Sequence, residues 1–170
     1  VGFDHYERLV GQGNYYGPRM IRNGVEVLHE GYTTDVITDL ALEWLETERD
    51  ESKPFVLMVQ HKAPHREWMP GPDHLHDMEG IDLPEPATLF DDHSGRGRAS
   101  TMQEMTIKDH LRPMDLKLTM PEWMMRMTPE ERAAWDKAYE PRNEAFRALE
   151  LTGDDLIRWK YQRYAKDYLR

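Results

Sequence analysis

The sequence predicts an α/β fold, and three observations carry that reading. Apolar residues recur at helical spacing from Val36 to Leu45, a continuous apolar run "FVLMV" follows at residues 55–59, and a polar, cation-rich loop comes directly after it. Helix, short connection, buried strand and polar loop are the parts of an α/β unit, whose chemistry lies beyond the carboxyl ends of its strands. With 170 residues, of which 39% are hydrophobic, the chain has the length and apolar content of one ordinary domain.

Taken in order, the first thirty residues hold "GQGNYYGPRM" and "RNG", rich in Gly, Asn and Tyr, which predicts turns and short extended pieces. "GQG" lacks the Lys-Ser/Thr of a phosphate loop and the third Gly of a dinucleotide fold. Val36, Ile37, Leu40, Ala41, Trp44 and Leu45 share one helical face, with Thr33 or Thr34 as cap, Asp35 at the positive end and a stop near "RDESKP". The run at residues 55–59 reads as a strand buried on both faces of a parallel sheet. Prolines 70, 72, 84 and 86 and the absence of periodicity make residues 71–127 a long irregular excursion.

Beyond it, "TPEERAAWDKAY" opens a helix with a capping box of Thr128 and Glu131 and Pro129 at the first helical position. The last helix is capped by Thr152 with Asp154 and Asp155 in its first turn. It spreads Leu156, Ile157, Trp159, Tyr161, Tyr164 and Tyr168 over so wide an arc that it needs partners on more than one side. The chain opens on Val and closes on "AKDYLR" without a helix stop, so the sequence predicts one domain over residues 1–170 that is incomplete at both ends.

The formal net charge of −10 argues against nucleic acid or an anionic membrane surface as partner. No apolar run approaches the ~20 residues of a membrane span. The chain has no Cys, which excludes thiolate chemistry and Cys-ligated zinc here.

Against that acidic background, "HKAPHR" gathers His61, Lys62, His65 and Arg66 at the end of the apolar run. Lys offers a point charge, Arg a two-pronged grip and His a transferable proton, a set suited to an oxyanion ester. Equally open is a loop whose histidines satisfy backbone carbonyls and whose cations are solvated. A metal reading would use His61, His65, His74, His76, Asp91, Asp92 and His93, but no pair has helical ligand spacing and there is no His-Glu-x-x-His. "SGRGR" could cradle an anion with Arg96 and Arg98, and the Met-rich stretch around Trp123 reads as adaptable core filler.

Four stretches, "GFDHYERLVGQGNYYGPRMIRNG", "HEGYTTDVITDLALEWL", "KPFVLMVQHKAPHREWMP" and "PEPATLFDDHSGRGRAS", together resemble the formylglycine-dependent sulfatases, in particular bacterial N-acetylglucosamine-6-sulfatase-like enzymes. The resemblance covers nearly the whole chain as the central part of a longer catalytic domain. It implies a partial alkaline-phosphatase-like fold, with a mixed sheet flanked by helices, and hydrolysis of sulfate esters on glycosaminoglycan or mucin glycans. It makes His65, in "APH", the catalytic residue that contacts sulfate and protonates the leaving oxygen, with Lys62 and Arg66 as substrate-binding neighbours. It also implies calcium and formylglycine in the complete enzyme, and a periplasmic or secreted location. The formylglycine motif, the paired acidic metal ligands and the later Asp-Asn pair are absent from these residues, so the chain alone is expected to be inactive. The alternative is a module that binds anionic saccharides through Lys62, Arg66, Arg96 and Arg98 without catalysis.

Overall fold

The computed structural model describes residues 2–170; Val1, the first residue of the expected domain, lies outside the described residues. Two compact units share the chain. One holds the described residues up to Arg66 together with Pro121–Trp135, the other Glu67–Met120 with Asp136–Arg170.

In the first unit, β1 (Glu7–Leu9), β2 (Arg19–Arg22) and β3 (Val25–Leu28) form an antiparallel sheet in the order β1-β2-β3. Arg8 faces Ile21 and Met20 faces Val27. The "RNG" turn joins β2 to β3: Asn23 and Gly24 have φ of 47° and 93°, the two successive positive values that suit a twisted two-residue hairpin. The Asn23 Oδ1 accepts from the Tyr6 amide at 2.9 Å, fixing β1 beside that turn. Gly17 (φ 55°) passes so close to Arg126 that a Cβ would lie 2.5 Å from its carbonyl oxygen. Tyr15, Tyr16, Met20, Met124, Met125 and Trp135 are buried, with Trp135 edge-on to Tyr16 at 6.1 Å.

Helix α1 (Thr33–Glu43) continues into a π-helical turn, Trp44–Glu48, and ends ahead of "RDESKP" as its composition requires. The six predicted apolar positions, 36, 37, 40, 41, 44 and 45, are half-buried, while Asp35, Asp39, Glu43 and Glu46 are exposed. The expected threonine cap is not made. Tyr32 is the N-cap, and the Thr33 hydroxyl instead donates to the Asn14 carbonyl at 2.6 Å, a tertiary contact that outcompetes the local one.

Residues 55–59 depart from the sequence reading. They join no strand among the described residues, and all five are exposed, from 37% at Leu57 to 80% at Val56. The pattern reports how much cover such a strand needs; a strand forms only when a neighbouring backbone completes its ladder. Trp44 meets Phe55 edge-on at 5.6 Å and the Arg49 guanidinium lies 5.5 Å from the same ring, which covers one of the five residues. The sheet is accordingly antiparallel throughout; a mixed sheet would need residues 55–59 as a parallel member.

The second unit is built around α5 (Gly153–Leu169) and the larger part of α4 (Pro129–Leu149), with α2 (Arg98–Thr101) and α3 (Ile107–His110) as short helices in the irregular excursion. The capping box that opens α4 is present: the Thr128 amide donates to Glu131 at 2.8 Å and the Glu131 amide donates to the Thr128 hydroxyl at 3.2 Å. The helix runs on through Pro141, because the next two residues are anchored outside it. Arg142 donates to the Leu75 carbonyl and Asn143 to the Lys117 carbonyl, both at 2.8 Å. Thr152 precedes α5 without a side-chain cap bond.

Every position of α5 from 156 to 167 is at least half-covered, so its aromatic arc finds partners within this chain as far as Tyr164, while Tyr168 stays exposed. Trp159 stacks on Phe146 with ring centroids 3.8 Å apart and Tyr164 meets Trp68 edge-on at 4.7 Å. Much of the remaining cover is the irregular segment itself. Gln162 exchanges both bonds of its amide with Leu83, Tyr161 donates to the Pro84 carbonyl, Lys160 to that of Lys108 and Arg163 to that of Leu116. Side chains of α5 thereby satisfy carbonyls that no ladder or helix serves, which is how a long irregular stretch stays packed.

Candidate active site

Residues 60–66 follow the exposed apolar run and lie wholly in the first unit. The Ala63-Pro64 bond is cis, and the His65 amide donates to the Lys62 carbonyl at 2.9 Å, closing a tight turn. His65 is exposed. Its Nδ1 lies 2.5 Å from the Arg66 carbonyl, and a carbonyl can only accept, so Nδ1 carries hydrogen and Nε2 is the nitrogen left for another partner. In the neutral ring Nε2 accepts a proton; in the cation it donates one. His61 is also exposed and Arg66 is half-buried.

Lys62 takes a different position from the other three. It is 8% exposed, with its Nζ donating to the Gln12 carbonyl at 3.1 Å and lying 4.7 Å from the centre of the Tyr15 ring. The "GQG" turn therefore presents a carbonyl to a cation, the opposite polarity from a phosphate loop; Gly11 and Gly13 have φ of 61° and 68°, and the Gly13 amide closes on Val10. Tyr15 donates from its hydroxyl to the His65 carbonyl at 2.5 Å. The sequence identified the cations but neither Gln12 nor Tyr15, since partners fifty residues away leave no mark at the loop. Burial raises the pKa of the neighbouring Tyr16 and Tyr32 phenols, with the nearby Asp35 carboxylate adding to it, so both remain neutral at physiological pH.

The remaining sequence candidates belong to the second unit and are engaged locally. His74 pairs with Asp77 at 2.9 Å and His76 with Glu79 at 2.8 Å. Asp91 receives the His93 amide and pairs with Arg96, while Asp92 receives the Ser94 amide. Arg98 turns its Nε to the Met102 sulfur at 3.0 Å. Among the described residues no three His, Asp or Glu converge on a point where a metal ion could be held. Calcium does not fit the donor set present here, and with no Cys the thiol precursor of formylglycine is absent too.

The second unit contains a buried polar network that the sequence did not signal. Lys117, 2% exposed, donates to the Glu67 and Asp115 carbonyls at 2.6 and 2.9 Å and lies 3.3 Å from the Asp167 carboxylate. Tyr139 and Arg170 each donate to Asp167 at 2.8 Å, and Asn143 links the Lys117 carbonyl to the Arg163 guanidinium, 2.7 Å from its Oδ1. Burial lowers the Lys117 pKa against the opposing pull of Asp167, and burial raises that of Tyr139 with the same carboxylate reinforcing it. These groups serve one another, and their part is structural.

No family model matches the chain. A curated relative does: N-acetylglucosamine-6-O-sulfatase of Bacteroides thetaiotaomicron is 45% identical over 184 residues, an alignment covering 99% of this chain and 33% of the relative. A solved structure of a protein in complex with its substrate, D-glucosamine-2-N,6-O-disulfate, superposes with a TM-score of 0.91 at 44% identity, covering 99% of this chain and 37% of the other. The chain thus spans about a third of the length of the curated relative it matches. By sequence and by fold it matches the sulfatases, and it carries a piece of their alkaline-phosphatase-like α/β fold.

Proposed function

We propose that this chain is the part of a sulfatase that supplies the proton-handling histidine for hydrolysis of a sulfate ester on a sulfated amino sugar of a glycosaminoglycan or mucin glycan. The observation that carries the reading is the 45% identity to an N-acetylglucosamine-6-O-sulfatase over an alignment covering 99% of the chain. The loop geometry supports it. With Nδ1 held by the Arg66 carbonyl, Nε2 of His65 is the nitrogen that meets the ester. When the sulfur–oxygen bond breaks, the sugar oxygen leaves with the bonding pair, and the imidazolium Nε2–H supplies the proton that makes it an alcohol. Arg66 supplies positive charge from the edge of the loop and Lys62 from its buried position over Tyr15. As in the family, we assign the work to the periplasm or the cell exterior.

Nucleophile and metal must come from outside these residues, so the 170-residue chain by itself is expected to release no sulfate. Release by the purified chain above a His65→Ala control overturns the assignment of a partial site. In the full polypeptide that contains this segment, His65→Ala is expected to lower kcat about 10²–10⁴-fold with a sulfated glucosamine substrate. Unchanged turnover there removes His65 from the reaction.

A further inference from the structure

Tyr15 touches both ends of the "KAPH" turn from a rigid base. Tyr15 is 2% exposed and donates its hydroxyl to the His65 carbonyl at 2.5 Å. Its ring lies beneath the Lys62 ammonium, 4.7 Å from centroid to Nζ, and that ammonium is anchored in turn on the Gln12 carbonyl. The backbone around Tyr15 is fixed as firmly as its side chain. The Thr33 amide, at the start of α1, donates to the Tyr15 carbonyl at 2.8 Å, and the Thr33 hydroxyl to the Asn14 carbonyl at 2.6 Å. Asn14 Nδ2 reaches the Trp123 carbonyl at 2.9 Å, and the Tyr15 ring lies nearly parallel to that of Tyr32 at 6.2 Å.

We infer that Tyr15 is a positioning residue: it holds the His65 backbone and the Lys62 ammonium in one geometry, so that the exposed imidazole presents Nε2 in a fixed direction. The inference rests on the reading of His65 as the proton-handling residue. An exposed histidine on a loop has no packing of its own to orient it, and catalytic groups must be held within a fraction of an ångström of the productive arrangement. The peptide that carries His65 is gripped on one side by the phenol and on the other by the turn bond to Lys62. The ring Nδ1 is gripped by the next carbonyl. Removing the phenol oxygen leaves the ring under Lys62 and takes away the bond to the His65 carbonyl, which makes Tyr15→Phe the probe.

The test uses the full polypeptide and four proteins: wild type, Tyr15→Phe, His65→Ala and the double variant. Tyr15→Phe is expected to lower kcat about tenfold with KM changed less than about twofold. In the His65→Ala background the same substitution is expected to change the residual rate by less than about twofold, because its effect runs through His65. Amide hydrogen exchange at His65 in the folded variant is expected to quicken, which reports the released peptide independently of turnover. Full kcat in Tyr15→Phe, or an equal loss in both backgrounds, overturns the inference while leaving His65 in place. Full turnover in His65→Ala removes the reading itself, and the assignment of Tyr15 with it.

Discussion

The two units each gather basic side chains, and they use the charge in opposite ways. In the loop at residues 60–66, His61 and His65 are exposed, Arg66 is half-buried and Lys62 is buried on the Gln12 carbonyl, with the four close together in sequence. In the second unit Lys117 and Arg163 come from distant parts of the chain, are buried, and face Asp167, Asn143, Tyr139 and backbone carbonyls. The first set includes two exposed side chains, whereas the second is enclosed by its own counter-groups. The exposed histidines thus belong to a cluster that is local in sequence, and the buried network is assembled from residues scattered along the chain.

The sharpest way to break this contrast is to remove the counter-charge. Asp167→Ala leaves Lys117 and Arg163 without their carboxylate and is expected to cost about 3–5 kcal/mol in denaturant unfolding. A loss below about 1 kcal/mol would mean the network is solvated and the contrast false. Tyr139→Phe, which removes one hydrogen bond to that carboxylate, is expected to cost about 1.5–3 kcal/mol near neutral pH.

The same tyrosine sets an alkaline signature. Its folded pKa lies above the ordinary 10.0, so its contribution is complete below that value and is lost as pH climbs beyond it, where the unfolded phenol ionises and the folded one does not. Lys117, lowered from 10.5, acts with the opposite sign and lower in pH: the unfolded state binds the extra proton, and stability gains as pH rises from the folded pKa toward 10.5. Subtracting the Tyr139→Phe profile from that of the wild type isolates the phenol, and the difference should shrink above pH 10. The smallest stability effect belongs to the loop: His65→Ala is expected to move unfolding by less than about 0.5 kcal/mol while abolishing most turnover in the full polypeptide. A large destabilisation instead would make His65 a packing residue.

What the sequence disclosed depended on how far each signal reached. The α1 stripe at residues 36 to 45 and the Thr128–Glu131 box are local patterns, and both appear where periodicity and capping chemistry place them. The Asn23-Gly24 turn is equally local. Thr33 was assigned a cap because its competing acceptor, the Asn14 carbonyl, lies nineteen residues away in the chain. Residues 71–127 carry the short helices α2 and α3, and nothing in their sequence announced that Gln162, Tyr161 and Arg163 would bind the backbone of this stretch. At the candidate site the "HKAPHR" cations were legible from residue type, whereas Tyr15 and Gln12, which hold Lys62 and His65, were not. Residues 55–59 have the composition of a buried strand, yet all five are exposed and join no strand among the described residues.

That exposed run also bears on how these 170 residues behave in solution by themselves. Five consecutive exposed apolar residues form a patch that favours self-association, against which the net charge of −10 acts as repulsion between copies. Light scattering of the purified chain at rising salt, wild type against Val56→Lys, measures the balance, and equal scattering would show that the run makes no such contact.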